Sequence, residues 1–378
     1  MKALKLLQFL GRILCLPYDP TLSDLLDEQI RKQVIPWEKV ASLANSHLVT
    51  PALYTALRDS CVAHSLPEDF VTYLREIHDL NAARNRAILN ELSFASTALN
   101  KVGIEPILLK GAGNLVRRIY PGEGDRFLND IDVLVPKGQI DHAFAKLLSA
   151  GYERGSDVEL TAKGRHHAPR LIRPQSEIPL ELHIRAQRTV ILPDPGEETD
   201  RQKLPLVPGL PFRARVPAVP QQAALGMVHR QLQHRWYAWA CPSLRDLWDT
   251  LLLARQAPAP DWESLEDSFA AAGIRHLYAD FVEWGLLLLP AFPLRRRRAS
   301  PLTHRLRKGL SLRFPAYACL EELFLQPVGR IRGMTGLIQN GVCGYGALPA
   351  ETVRRVTSRQ WWRCRWRECR SRRRKLGG

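Results

Sequence analysis

The sequence predicts an α+β (mixed α/β) protein in which a small sheet-bearing segment lies between two helical regions. Three observations predict it. Residues 1–100 carry apolar side chains at helical spacing and contain no strand-like run. Between residues 104 and 184, short apolar runs alternate with helical spacing. A proline-rich stretch from 193 to 220 follows, and then helical spacing returns.

The 378 residues allow two domains, or one domain with a large appendage. The divisions expected are a helical region over 1–100, a sheet-bearing domain over 101–192, and a second helical region over 193–294. A basic, partly ordered extension over 295–378 closes the chain. In the first region Pro36-Trp37 opens a helix, and residues 68–99 place Phe70, Tyr73, Leu74, Ile77, Leu80, Ile88, Leu89 and Leu92 at helical spacing. Residues 104–109 look like a buried strand and 112–120 like a helix. A loop rich in glycine and charge, 121–126, leads to a second strand at 131–135. Residues 141–148 form a helix closed by Ala150-Gly151. Strands are expected to begin at Tyr152-Glu153 and to span 180–184, the latter after a turn at 174–179. The last helices are expected over 221–234, 243–255, 262–272 and 276–289.

Composition sets limits. Hydrophobic residues make up 45% and charged residues 24%, as in ordinary globular proteins. Seven scattered cysteines with no C-x-x-C pattern point to reduced thiols in a cytoplasmic protein, not to a zinc site or a disulfide framework. Gln8 and Arg12 break the N-terminal apolar run, so it reads as an amphipathic helix and not a signal peptide. No run approaches the roughly 20 apolar residues of a transmembrane helix. The net charge is +16, yet residues 353–378 hold eleven Lys/Arg against Glu368 alone. The basic character is mostly a property of that tail. Its Trp361, Trp362 and Trp366 are interleaved with arginines, a composition suited to nucleic acid or to an anionic membrane surface.

The chemistry centres on Asn129-Asp130-Ile131-Asp132-Val133-Leu134-Val135. A lone D-x-D is close to chance. At the start of an apolar strand it places both acids on one face, about 6.6 Å apart along the backbone. Ile131, Val133 and Val135 take the other face. Two such carboxylates repel, and a divalent cation removes the conflict. Glu181, between Leu180 and Leu182, supplies a third acid as metal ligand or as base. Lys110-Gly111 ends the first strand before a helix, where a lysine and open backbone N–H groups can meet phosphate. Arg126 either contacts a phosphate or pins its loop. His183 shares the face of Glu181, as a partner of the ligands or in a structural role. His229 and His234 do not share a helix face and read as structural. Arg245-Asp246 reads as a local ion pair or cap.

The run ILLKGAGNLVRRIYPGEGDRFLNDIDVLVP, then AGYE, then LELH, resembles the uncharacterised nucleotidyltransferase family with the pattern Lys-Gly…Asp-x-Asp…Glu-x-His. That family belongs to the DNA polymerase beta-like superfamily. These motifs span about 80 residues, and a looser helical likeness runs from about residue 30 to about 290. The resemblance implies a small palm-like sheet in the 101–192 domain. It implies that Asp130, Asp132 and Glu181 bind Mg²⁺ or Mn²⁺ and that Lys110 and Gly111 meet the nucleotide phosphates. Elsewhere in the superfamily a Gly-Ser pair precedes the acids. Here Lys110-Gly111-Ala112 stands there and brings no hydroxyl for the triphosphate.

The activity expected is transfer of a nucleoside monophosphate from a nucleoside triphosphate, ATP or another, with release of pyrophosphate. The acceptor is an unidentified small molecule, peptide or RNA. Two alternatives stand beside it: an inactive nucleotide- or nucleic-acid-binding module, and an enzyme directed to RNA by its basic tail.

Overall fold

The computed structural model describes residues 3–32, 34–136, 138–155, 168–176, 178–187, 194–195, 203–233, 242–257 and 259–297. The Arg/Trp-rich tail lies outside them, as does His234.

The N-terminal region is helical as its spacing requires. It comprises α1 (Ala3–Cys15), α2 (Leu22–Lys32), α3 (Trp37–Ser46), α4 (Thr50–Arg58) and α5 (Glu68–Asn100). The apolar stripe of α1 puts Leu6, Phe9, Leu10, Ile13 and Leu14 in the core. Helix α5 starts after Pro67, with Glu68 and Asp69 in its first turn against the helix dipole. Its 33 residues give it a length of about 50 Å.

The middle region holds β1 (Ile107–Leu108), α6 (Lys110–Val116), β2 (Ile131–Leu134), α7 (Ile140–Ser149), β3 (Glu153–Arg154), β4 (Leu171–Ile172) and β5 (Leu180–His183). The sheet order is β1-β2-β5-β4-β3. Among the described strands only the β2/β5 pair is parallel. Strand β1 is shorter than the apolar run predicts. Pro106 has no N–H to give to a ladder, and the chain turns into α6 straight after Leu109. Strand β4 is an element that the apolar pattern does not signal.

The C-terminal region holds α8 (Val219–Val228), α9 (Leu244–Ala254), α10 (Ala259–Ala271) and α11 (Arg275–Leu288). The helix expected over 221–234 is regular only to Val228. It continues as a π-helical turn over His229–Gln233.

Among the described residues two large cores organise these elements, beside a smaller cluster of Ile107, Leu109, Leu134, Ala186, Leu204 and Leu225. One gathers side chains from α1–α4, the first turns of α5, and α8–α11, so the flanking helical regions bury their apolar faces against each other. The other lies under the sheet, where Ile131, Val133 and Val135 pack with Leu180, Leu182 and Ala143 of α7. Helix α5 serves both. Phe70 and Leu74 belong to the first core, and Ile88, Leu92, Ala95 and Leu99 to the second.

Candidate active site

Strand alternation puts the chemistry on the face of β2 opposite that core. In the parallel β2/β5 register Asp132 lies beside Glu181, and Leu134 beside His183. Residues two apart share a face, so Asp132, Glu181 and His183 converge. One ligand atom from each lies within 4.8 Å of the others, and all three residues are buried. Asp130 precedes β2, is only half-buried, and lines the same cavity as Asp132 and Glu181.

Lys110 Nζ donates to Asp132 Oδ1 at 2.8 Å, and His183 Nε2 lies 2.7 Å from the same oxygen. Arg170 Nε donates to Glu181 Oε1 at 2.8 Å. Burial works to raise the Asp132 carboxyl. Lys110 and then His183 outweigh it and hold the group well below the usual carboxylate range. Asp130 has the opposite fate. Burial, then the charges of Asp132 and Glu181, push its carboxyl up to about 6. Crowded acids of this kind are what a bound cation would relieve.

Lys110 is held in place from its backbone. Its φ of +48° is in the left-handed region, a strained conformation for a non-glycine residue. Gln222 Nε2 of α8 donates to its carbonyl at 2.6 Å. Beside it, a Cβ on Gly111 would stand 2.8 Å from Leu128, so the glycine lets the Asp130 loop close over the start of α6.

That loop is gripped by the polar face of α5. Asn85 Nδ2 donates to the carbonyls of Glu123 and Arg126, at 2.8 and 2.9 Å. Arg84 reaches those of Leu128 and Asn129, at 3.0 and 3.1 Å, and Asn81 that of Gly124. A Cβ on Gly124 would lie 2.3 Å from the His78 carbonyl, so only glycine lets the loop come this close. The sequence reading missed these three side chains. Their signal is the 81/84/85 spacing of amide and guanidinium groups on one helix face.

Above the sheet face lies a cavity of about 440 Å³. That is within the usual range for small-molecule sites, about 300–1,000 Å³. Its other wall comes from the C-terminal helices. Arg126 Nε donates to both oxygens of Asp249, at 3.1 and 3.0 Å, and so bolts the loop to α9 while still lining the cavity. Ser243 caps α9 by accepting from the Asp246 N–H and donates its hydroxyl to the Asp246 carboxylate, which also accepts from Arg230 at 2.6 Å and from Arg245 at 3.3 Å. The Arg245-Asp246 pair is therefore both an ion pair and part of a cap. His229, on the π-helical turn, also faces the cavity.

A family profile described as an uncharacterised nucleotidyltransferase matches residues 33–283. The chain belongs to this nucleotidyltransferase family. No curated protein matches it. The family match runs from before α3 into α11, so both walls of the cavity fall inside the nucleotidyltransferase unit. Within that unit Asp132, Glu181 and His183 could hold a metal ion. Among the described residues, no helix is long and apolar enough to cross a membrane.

Proposed function

We propose that the protein transfers a nucleoside monophosphate from a nucleoside triphosphate to an acceptor hydroxyl or amine, with Mg²⁺ or Mn²⁺ on the acidic wall. The observation that carries this reading is the cross-strand cluster of Asp132, Glu181 and His183, with Asp130 beside it, on one face of the sheet. The donor set fits a hard divalent ion. Carboxylate oxygens predominate, with Asp130 lining the same cavity as Asp132 and Glu181.

When bound, the ion would neutralise charge on the α-phosphate and orient it. Asp130, Asp132 and Glu181 would hold it. His183 fixes the orientation of the Asp132 carboxylate through the 2.7 Å contact. Lys110 sits 2.8 Å from Asp132 and is placed to turn to a phosphate oxygen, with Gly111 beside it. The acceptor atom bonds to the α-phosphorus as the bond to the bridging oxygen breaks. Pyrophosphate leaves with that electron pair, and the acceptor's proton passes to a carboxylate of the wall. Most of the acceleration would come from positioning and charge stabilisation.

The test uses α-³²P nucleotides with Mg²⁺ or Mn²⁺ and an acceptor extract. Wild type should label an acceptor, and Asp132→Ala should lose about a hundredfold or more. Equal labelling by the two proteins sinks the reading. The strongly basic tail favours RNA as a second acceptor class. Deleting residues 353–378 tests it: loss of RNA binding with intact labelling of a small acceptor rules RNA out.

A further inference from the structure

A glycine inside a helix needs a reason, because it loses more freedom on folding than alanine does. Among the described residues the other glycines give one of two. Gly103, Gly138, Gly151, Gly209 and Gly273 have a positive φ, and at the remaining seven a Cβ would stand 3.3 Å or less from another atom. Gly226 gives neither. It lies inside the helical run of α8 and its π-helical turn, and its φ is not positive. A Cβ on it would meet nothing within 4 Å beyond its own helix backbone. No packing requirement of the fold keeps a side chain out of this position, yet Gly226 lines the cavity.

The surroundings show the same bias toward a ligand. Directly after α8 the helix widens into the π-helical turn of His229–Gln233, a form concentrated at functional sites. Leu48 follows α3 with a φ of +56°, the left-handed conformation in which glycine is usual after a helix. Among the described non-glycine residues only Leu48, Lys110 and Arg118 have a positive φ, and two of the three line the cavity. Backbone strain of this kind clusters where it serves a site.

The chemistry of the bare patch limits what it can seat. Backbone N–H and C=O groups inside a helix are already engaged, so the patch offers contact and few hydrogen bonds. Ala223 stands one turn before Gly226, and Thr250 and Leu253 of α9 line the same cavity. The Thr250 hydroxyl donates to the Asp246 carbonyl at 2.9 Å. Such a surface suits the flat face of an uncharged ring and not a phosphate.

We propose that Gly226 is a size gate: an uncharged ring of a substrate lies against the bare backbone of α8, and the side chain at 226 decides how large a ring can enter. The proposal rests on the nucleotidyl-transfer reading. The ring belongs either to the base of the donor nucleotide or to the acceptor, and the experiment separates the two.

Two variants of the full chain are compared with wild type. Gly226→Ala should raise the Tm by about 1–3 °C, because the space is open and alanine favours the helix. A lower Tm would show a packed position and overturn the gate. Inorganic tripolyphosphate, and whichever of ATP, GTP, CTP and UTP wild type binds most tightly, are then titrated calorimetrically with Mg²⁺. In Gly226→Leu the tripolyphosphate affinity should stay within about twofold of wild type, since that probe carries no ring. If the ring is the base, the nucleoside triphosphate weakens about tenfold or more. If it belongs to the acceptor, nucleotide affinity is kept and label transfer at saturating nucleotide falls about tenfold or more. Should the Leu variant misfold, Gly226→Ala carries the test, with a drop of about threefold in one of those two quantities. Wild-type values for both quantities in a folded Leu variant overturn the gate, as does an equal loss of tripolyphosphate. If wild type itself neither binds a nucleoside triphosphate nor labels an acceptor, the nucleotidyl-transfer reading fails and takes the gate with it. Failure of the gate alone leaves wild-type labelling intact.

Discussion

Asp132 takes two partners on a single oxygen, the Lys110 ammonium and His183 Nε2, and keeps its charge despite burial. Its metal affinity should then depend on the histidine that orients it. His183→Ala should weaken the Mg²⁺ or Mn²⁺ dependence of transfer about 10–100-fold. Metal titration of activity would show it, and an unchanged midpoint would make His183 merely structural. Asp125, outside the site, carries a different cost. Burial pushes its carboxyl up to about 6, although Thr55 and the Gly122 N–H both donate to it. A carboxyl raised on folding stabilises the native state while protonated. That contribution is complete below about 4 and is lost as pH rises through about 6, a change of about 3 kcal/mol. Asp125→Asn keeps an acceptor oxygen and removes the titration. Relative to wild type, it should gain stability between pH 4 and 7 in urea unfolding. A constant difference at both pH values would refute the assignment.

The elements show which parts of the site a sequence can reveal. The two-residue period from Asp130 to Val135 was readable because a strand states its faces locally, and the structure puts Ile131, Val133 and Val135 in the core. The partner was readable only as a second short apolar strand, since the pairing of Asp132 with Glu181 crosses 49 residues. Strand β4 left no signal because two residues are too few for a period. The polar face of α5 was not readable either. Asn81, Arg84 and Asn85 look like solvated helix positions until a loop some 40 residues away closes on them. Asn85→Ala removes the donor from two loop carbonyls and should cost about 1–3 kcal/mol. It should also weaken metal dependence, because the loop leads into Asp130. Denaturant unfolding gives the first quantity and metal titration the second. Full stability in the variant would show that the grip is incidental.

At the scale of the whole molecule, the sequence suggested two helical regions on either side of a sheet. It gave no sign that they share one core, because contacts between α1 and α11 leave no mark on the local pattern of either helix. The sharing has a thermodynamic consequence. Phe9 is fully buried and meets Trp37 edge-on, with ring centroids 6.1 Å apart. Phe9→Ala should cost about 3–5 kcal/mol. The loss should appear in one transition by both fluorescence and circular dichroism, since the C-terminal helices rest on the same core. Separate transitions for the two probes would show that the regions fold independently.

Lys110 gives the acidic wall a counterion that belongs to the chain, fixed by a strained backbone and by Gln222. A protein with such a placeholder does not need an ion to assemble. Chelation should therefore switch off transfer without melting the fold, unlike a zinc finger, which collapses without its metal. Unfolding temperatures in EDTA and in Mg²⁺ should differ only by the small mass-action shift of a weak ligand. The lysine also sets an order of events. In the proposed reaction, a cation that displaced it from Asp132 would free its ammonium group for the nucleotide, so metal and triphosphate should each tighten the other's binding.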